Sequence, residues 1–540
     1  MTADTDYSVP GVATETFVEL LNDPRLAIPD AVKEAAKKVS FDGTAVPFLC
    51  VPSKFAEAIA AVKGLEAAFA GAIAQQRFNV DAGQVVIDTD HAALFVFSAF
   101  STTLNGKPSL DRAASAHLRD TDIHDSGKHR YRQMATNIYK TKDGRYFHLH
   151  GSMNARPSMT MVGVDPERTE ITDAEEIRKI YGDAVAKWNA EDIDKAANEE
   201  YRQAGTICYT WDEFKQLEQG KAIINCPIYE LSEVAPTPPV AWPPATKQMA
   251  LSGIKVLELT RVIAGPAVGK GLAEHGATVL RITSSTLPDL GILNPDLSQG
   301  KYNADLNLKT PEGKRILAEL IKDADVFIDG YRPGCVAGLG FGREQVRKLN
   351  PNIIHVRENC YGWHGPWQGR SGWQQVSDCL TGLSRVFGES LGLDEPVVPI
   401  FPNSDFGAGA SGLVGAMHAL YLRATKGGVF DLDLSLSYYN VFLMGLGTYP
   451  DEVYAKVKTK VPLRHDWDMT TSLPIVIPEL VVARPDVFMS PKFWHTLDAP
   501  ALSGKIRTVA PVIKFSGPIE VIVQRGPVQN GDDPAEWPKA

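Results

Sequence analysis

Apolar positions in the second half of the chain fall into short runs, separated by stretches with helical spacing. Ile254 to Leu259 is a run of strand length, followed by a Gly265-Pro266 turn, an Ala- and Gly-rich helix, and a second run from Ala277 to Ile282. Strand, helix, strand is the unit of a parallel sheet. A helix is predicted over 311–322, with Thr310 as its N-cap and Pro311 at the first helical position. Asp325 to Asp329 and Asn352 to Arg357 read as further strands on either side of a helix from Arg343 to Leu349. This alternation predicts an α/β fold with a doubly wound parallel sheet.

The clearest interruption is residues 232–248, SEVAPTPPVAWPPATKQ, with five prolines. Proline fixes φ and excludes helix, so this segment reads as a stiff, extended linker between residues 1–231 and 249–540. A weak repeat relates the two parts. Ala56–Gln76 followed by AGQVVIDTDHAA resembles Gly409–Ala424 followed by KGGVFDLDLSLS, each a small-residue helix, a glycine turn and a strand. Residues 172–231 read as helical and charged, and TKDGRYFHLHG (141–151) as a hairpin turned at Asp143-Gly144.

Length and charge narrow the function classes. At 540 residues the chain is expected to hold two or three domains. A net charge of −10, with both signs interleaved, argues against a nucleic-acid partner. Six scattered cysteines without a CxxC pair predict neither a disulfide framework nor a zinc site, and point to a reducing, cytoplasmic setting. The first residues lack signal-peptide character, and no apolar run has membrane-spanning length. The expectation is a soluble cytoplasmic protein with no membrane partner.

Several stretches carry candidate chemistry. LTRVIAGP lacks the GxGxxG fingerprint, yet it follows the first strand of a parallel sheet, at the edge where ligands bind. Lys309 precedes a helix start, where an ammonium and free N–H groups can face a phosphate. Tyr331 and Arg332 follow a buried strand and can hold an aromatic ring and a phosphate. The loop FGESLGLDEPVVPIFPNSDFGAGASG (387–412) carries Asp394, Glu395 and Asp405. Asp405 suits either an N-cap for a helix beginning near Gly407 or a nucleophile held at a helix start. His148 and His150 share one strand face, too few for a metal site, and read as structural.

The segments GIKVLELTRVIAGPAVGKGLAEHGATVLRI, LNLKTPEGK, DADVFIDGYRPG, YGWHGP and DEPVVPIFPNSDFGAGASGL occur in this order. Together they resemble the family III CoA-transferases, the CaiB/BaiF group that includes formyl-CoA transferases and α-methylacyl-CoA racemases. The resemblance covers about residues 250–445, and GKIRTVAPVIKFS is similar to the family's closing strand. The first half resembles later parts of the same family: the helix after the nucleophile loop, and a small domain. The chain thus looks like a rearranged two-part member. The resemblance implies a Rossmann-like sheet domain plus a smaller α+β domain, and an interlocked homodimer whose halves complete one another within a chain or across the dimer.

It also implies a CoA site lined by Ile263, Ala264, Leu306, Lys309, Tyr331 and Arg332, with coenzyme A arriving as substrate acyl-CoA and no metal. Polar and charged positions that family members use near the nucleotide are replaced here: an acidic–basic pair by Thr283 and Ser284, an Asn by Gly330, and an Arg by Gly338. PNSDFGAG stands where the family carries its nucleophile, which places Asp405 in that role, while Asp394 only marks the preceding loop. The implied reaction moves CoA from an acyl-CoA to a carboxylic acid through an aspartyl-CoA intermediate. A racemase needs a further carboxylate where this chain has Gln374, with Asp378 one turn on. Racemase chemistry and a non-catalytic CoA-binding scaffold are the alternatives.

Overall fold

The computed structural model describes residues 7–111, 116 and 118–539. Its centre is a seven-stranded sheet, formed by β1 (Glu230–Ala235), β2 (Lys255–Thr260), β3 (Thr278–Thr283), β4 (Lys301–Asp305), β5 (Val326–Gly330), β6 (Ile354–Asn359) and β7 (Val429–Ser435), in the order β4-β3-β2-β5-β6-β7-β1. Strands β2 to β7 are parallel to one another, and β1 joins the β7 edge antiparallel. The order reverses between β2 and β5, which makes the carboxyl ends of those strands the topological switch point. The predicted strands appear within one or two residues of their expected limits. Thr310 caps the helix Pro311–Lys322 by accepting from the Gly313 amide at 3.1 Å.

Strand β1 comes from the first half of the chain. Residues 232–235, read from sequence as the opening of a linker, are therefore a sheet edge, and the extended proline-rich segment begins only after Ala235. The halves meet again through α1 (Phe55–Phe78), α2 (Ala264–Glu274) and α3 (Asn403–Thr425), which pack α1 on α3 and α3 on α2. All three are buried on nearly every face, so their residues are small and apolar almost all round. A Cβ at Gly409 would stand 2.5 Å from the Ala267 Cβ, so only glycine permits this α2–α3 approach. A third junction pairs Thr103–Leu104 with Gly504–Val509. The sequence repeat is visible too: α1 leads to a strand at Val85–Asp88, and α3 leads to β7.

The smaller sheet pairs Asn137–Lys140, Tyr146–Leu149 and Gly205–Ile207 antiparallel, with the expected turn at Asp143-Gly144. Short helices from Ala174 to Ile223 surround it. The segment that follows its second strand, with Gln203 just before its third, supplies part of the cleft described next.

Candidate active site

A cleft of about 350 Å³ opens at the switch point. Arg261 and Val262 reach it from the loop after β2, Ala264 from the first position of α2, and Gly330 to Pro333 from the end of β5. Glu358, Asn359 and Cys360 come from the end of β6, Arg370 to Trp373 from the next loop, and Asp405 from the start of α3. The first half contributes Ser152, Met153, Asn154, Pro157 and Gln203.

Asp405 does not cap its helix. Helix α3 begins at Asn403 after the N-cap Pro402, earlier than the expected start near Gly407, so Asp405 lies inside the first turn. The proline at the N-cap position makes no side-chain cap, and among the described residues burial alone acts on the Asp405 carboxylate, with no hydrogen-bond donor. Burial lifts its pKa to about 7. A helix start favours a carboxylate by only about 1 kcal/mol, less than one pKa unit, so desolvation wins. Two residues on, Gly407 lies against the Tyr439 ring, where a Cβ would be 2.2 Å away. That contact seats α3 on the helix Leu436–Gly445, whose Leu436 also lines the cleft.

Two more carboxyls lie nearby. Burial, then the charges of Asp405 and Asp329, push Glu358 up to about 8. Asp329 is raised to about 7 by burial, against the opposing Tyr331 amide, which donates to it at 3.2 Å. Across the cleft, the Arg261 guanidinium sits 4.6 Å over the Tyr331 ring and donates to the Pro288 carbonyl at 2.6 Å. Arg332 donates to the Arg202 carbonyl of the first half at 3.3 Å. Trp373 stacks on His150 at 5.3 Å and donates to Ser152 Oγ at 3.1 Å. His148 and His150 therefore brace the cleft wall, and burial lowers both pKa values so that both rings stay neutral.

Of the site residues read from sequence, the fold brings Ala264, Tyr331, Arg332 and Asp405 into one cleft. Ile263, between two lining residues, caps α2 with its side chain buried. Leu306 is enclosed in the core with Leu257, Leu259 and Leu317, and Lys309 is exposed outside the lining. Both follow β4, two strands from β2 on the same edge, or roughly 10 Å at normal strand spacing. Arg261, Glu358, Arg370 and Trp373 were not singled out from sequence. Glu358 ends a buried strand, and that position is the signal that could have found it.

Gln374 and Asp378 do not line the cleft, although the Asp405 charge reaches Asp378 and adds to burial in raising its pKa. Both are buried, Gln374 donates to Asp378, and Asn440 donates to the other Asp378 oxygen at 2.8 Å. Asp394 is fully exposed beside Arg385. Among the described residues, Cys226, Glu230 and His364 place metal-ligand atoms within 4.8 Å of one another, on the β1 edge, and none of them lines the cleft. No helix among the described residues is long and apolar enough to cross a membrane.

An open doubly wound sheet with a carboxylate and an aromatic–arginine cluster at its switch point defines a class, the α/β enzymes that hold a nucleotide-bearing ligand on the carboxyl edge. The model of "CoA-transferase family III" matches residues 251–456. An acetyl-coenzyme A transferase of Hypoxylon pulicicidum, nodX, is 36% identical over 100% of this chain and 95% of its own length. An acyl-CoA transferase of Gibberella moniliformis is 32% identical over 85% of this chain and 80% of its own. A CaiB/BaiF family protein of Brucella suis shares 18% identity and a TM-score of 0.40, covering 53% of this chain and 97% of that one. The chain belongs to CoA-transferase family III and is a CoA-transferase that acts on acyl-CoA thioesters.

Proposed function

We propose that Asp405 is the nucleophile and carries CoA as an aspartyl thioester between an acyl-CoA donor and a carboxylic acid acceptor. The observation that carries this is a part-buried carboxylate, free of any cap or ion pair, that opens onto the switch-point cleft from the start of α3. Asp405 attacks the thioester carbonyl, the C–S bond breaks, and a mixed anhydride forms with CoA thiolate beside it. The thiolate returns to the Asp405 carbonyl and expels the donor acid, leaving aspartyl-CoA. An acceptor carboxylate attacks that thioester, and the thiolate then takes the acceptor's acyl group and frees Asp405. Each step exchanges one leaving group at one carbonyl, as covalent catalysis requires.

The CoA nucleotide is proposed to lie along the carboxyl edge. Its chain passes Ile263 and Ala264, and its phosphates meet Tyr331 and Arg332, with Lys309 and Leu306 further along. The racemase alternative is less favoured because both Asp378 oxygens are occupied by amides inside the protein. The enzyme is further proposed to act as a cytoplasmic homodimer. Six free cysteines suit a reducing compartment, and exposed Val482, Met489 and Ile475 offer apolar surface for assembly. Mass spectrometry of protein incubated with a panel of acyl-CoAs, acetyl-CoA among them, tests the reading. A CoA adduct on the peptide containing Asp405 is expected. CoA exchange between acids with no adduct at any time, or an adduct on another residue, removes Asp405 from the role.

A further inference from the structure

The cleft holds a second carboxyl that the transfer scheme does not use. Glu358, the penultimate residue of β6, lines the same cleft as Asp405 and is only 8% exposed. Among the described residues no donor or cation lies within hydrogen-bond or ion-pair reach of it. Its Oε2 lies beside Gly330, 3.5 Å from where a Cβ would stand, an ordinary van der Waals distance. Every other charged group around it is engaged or carries the same sign. Asp405 faces it from α3 and Asp329 from β5. Arg357 and Arg343 are bound to Asp433, Arg370 to Asp194, and Arg261 to the Pro288 carbonyl. Arg332 donates to the Arg202 carbonyl, and the Cys360 thiol next to Glu358 stays protonated in its buried position. A carboxyl buried beside two others, with no cation of its own, keeps its proton.

We infer that Glu358 is a second catalytic residue, a neutral acid whose O–H donates a hydrogen bond to the carbonyl oxygen on which negative charge develops in each acyl transfer. This rests on the reading of Asp405 as nucleophile. It deepens that reading in one respect: both substrates of the enzyme are, or become, carboxylates. An ionised Glu358 would repel an incoming acid and the oxyanion alike, whereas a neutral one attracts both. The proton stays on Glu358 throughout. The bonds that form and break are those at the Asp405 and substrate carbonyl carbons, so no external acid, base or oxidant is needed. A donor aimed at a developing oxyanion in a water-poor site is the most effective place for a single hydrogen bond.

The test compares wild type, Glu358→Gln and Glu358→Ala on two readouts. The first is kcat/KM for the acceptor acid between pH 6 and 9.5. The second is the CoA adduct on Asp405 after long incubation with acyl-CoA alone. Wild type is expected to lose activity above about pH 8, as Glu358 ionises. Glu358→Gln, a weaker donor that cannot ionise, is expected to fall about tenfold at pH 7 and to lose the alkaline limb. Glu358→Ala is expected to fall about 100-fold, in the range seen for removal of one oxyanion donor. All three should accumulate the adduct eventually. An alkaline limb that persists unchanged in Glu358→Gln, or Glu358→Ala with wild-type kcat/KM, overturns the inference while leaving Asp405 in place. Absence of adduct from wild type itself instead removes the reading beneath it.

Discussion

The Lys63 ammonium lies 2.8 Å from Glu66 Oε2, inside the junction between the two halves of the chain, with both side chains at most 3% exposed. The other Glu66 oxygen lies 2.9 Å from His275 Nε2, at the end of α2. One carboxylate on α1 thus serves groups from both halves. Glu66→Ala leaves Lys63 buried without its ion-pair partner, with only the more distant Glu274 near it, and breaking such a buried pair costs about 3–5 kcal/mol. Urea unfolding should show a loss of that size. A loss under about 1 kcal/mol would mean that water reaches Lys63 in the variant.

Replacing Asp405 by Asn keeps its shape and removes its charge. Transfer should drop by orders of magnitude while CoA still binds, and Asp394→Asn, at an exposed position, should leave transfer intact. An Asp405→Asn enzyme that retains activity would return the residue to a structural role.

The same variant should be more stable than wild type above neutral pH. Asp405 titrates near 7 in the fold and near 4 when unfolded, so ionisation is harder in the native state. Its folded pKa is raised, and the native state therefore binds more protons across this window. Stability is full below about pH 4 and falls as pH rises to about 7. Glu57, raised to about 7 by burial despite hydrogen bonds from Tyr7 and Tyr449, adds to the same slope. Melting temperatures of wild type and Asp405→Asn should coincide near pH 4 and separate by pH 8, with the variant higher. The opposite order would show that the carboxylate gains more from its surroundings than burial takes away.

CoA affinity should depend on the cleft arginine more than on the outlying lysine. Losing a charge-assisted hydrogen bond costs on the order of 1.5–3 kcal/mol, so calorimetry should show Arg332→Ala weakened by that amount. Lys309→Ala should weaken binding less, because Lys309 stands outside the cleft lining. Unchanged affinity in either variant removes that residue from the CoA site.

Residues 249–540 expressed alone should be insoluble. That fragment lacks β1 and so exposes the β7 edge, and it lacks α1, which covers α3. A soluble, cooperatively unfolding fragment would show that the second half is self-sufficient.

What the sequence determined by itself was local and periodic. The apolar runs at Ile254–Leu259 and Ala277–Ile282 announce strands because a strand buried on both faces needs apolar residues throughout. Thr310 and Pro311 announce a helix start because helix ends need a cap and a preset φ. The ordered motifs around Asp405 carried the family. Only the tertiary structure decided which residues meet. Asp405 looked like a cap until Pro402 took that position and the helix began at Asn403. Lys309 and Tyr331 both follow strands, but strand order, not sequence distance, put Tyr331 in the cleft and Lys309 outside it. Ser232 to Ala235 read as linker because proline follows immediately, yet an open sheet edge at β7 drew them into pairing. Sequence offered only the place of Glu358 near the end of a buried strand, because a carboxyl's environment is made by segments far away in sequence, here burial in the fold with the charges of Asp405 on α3 and Asp329 on β5.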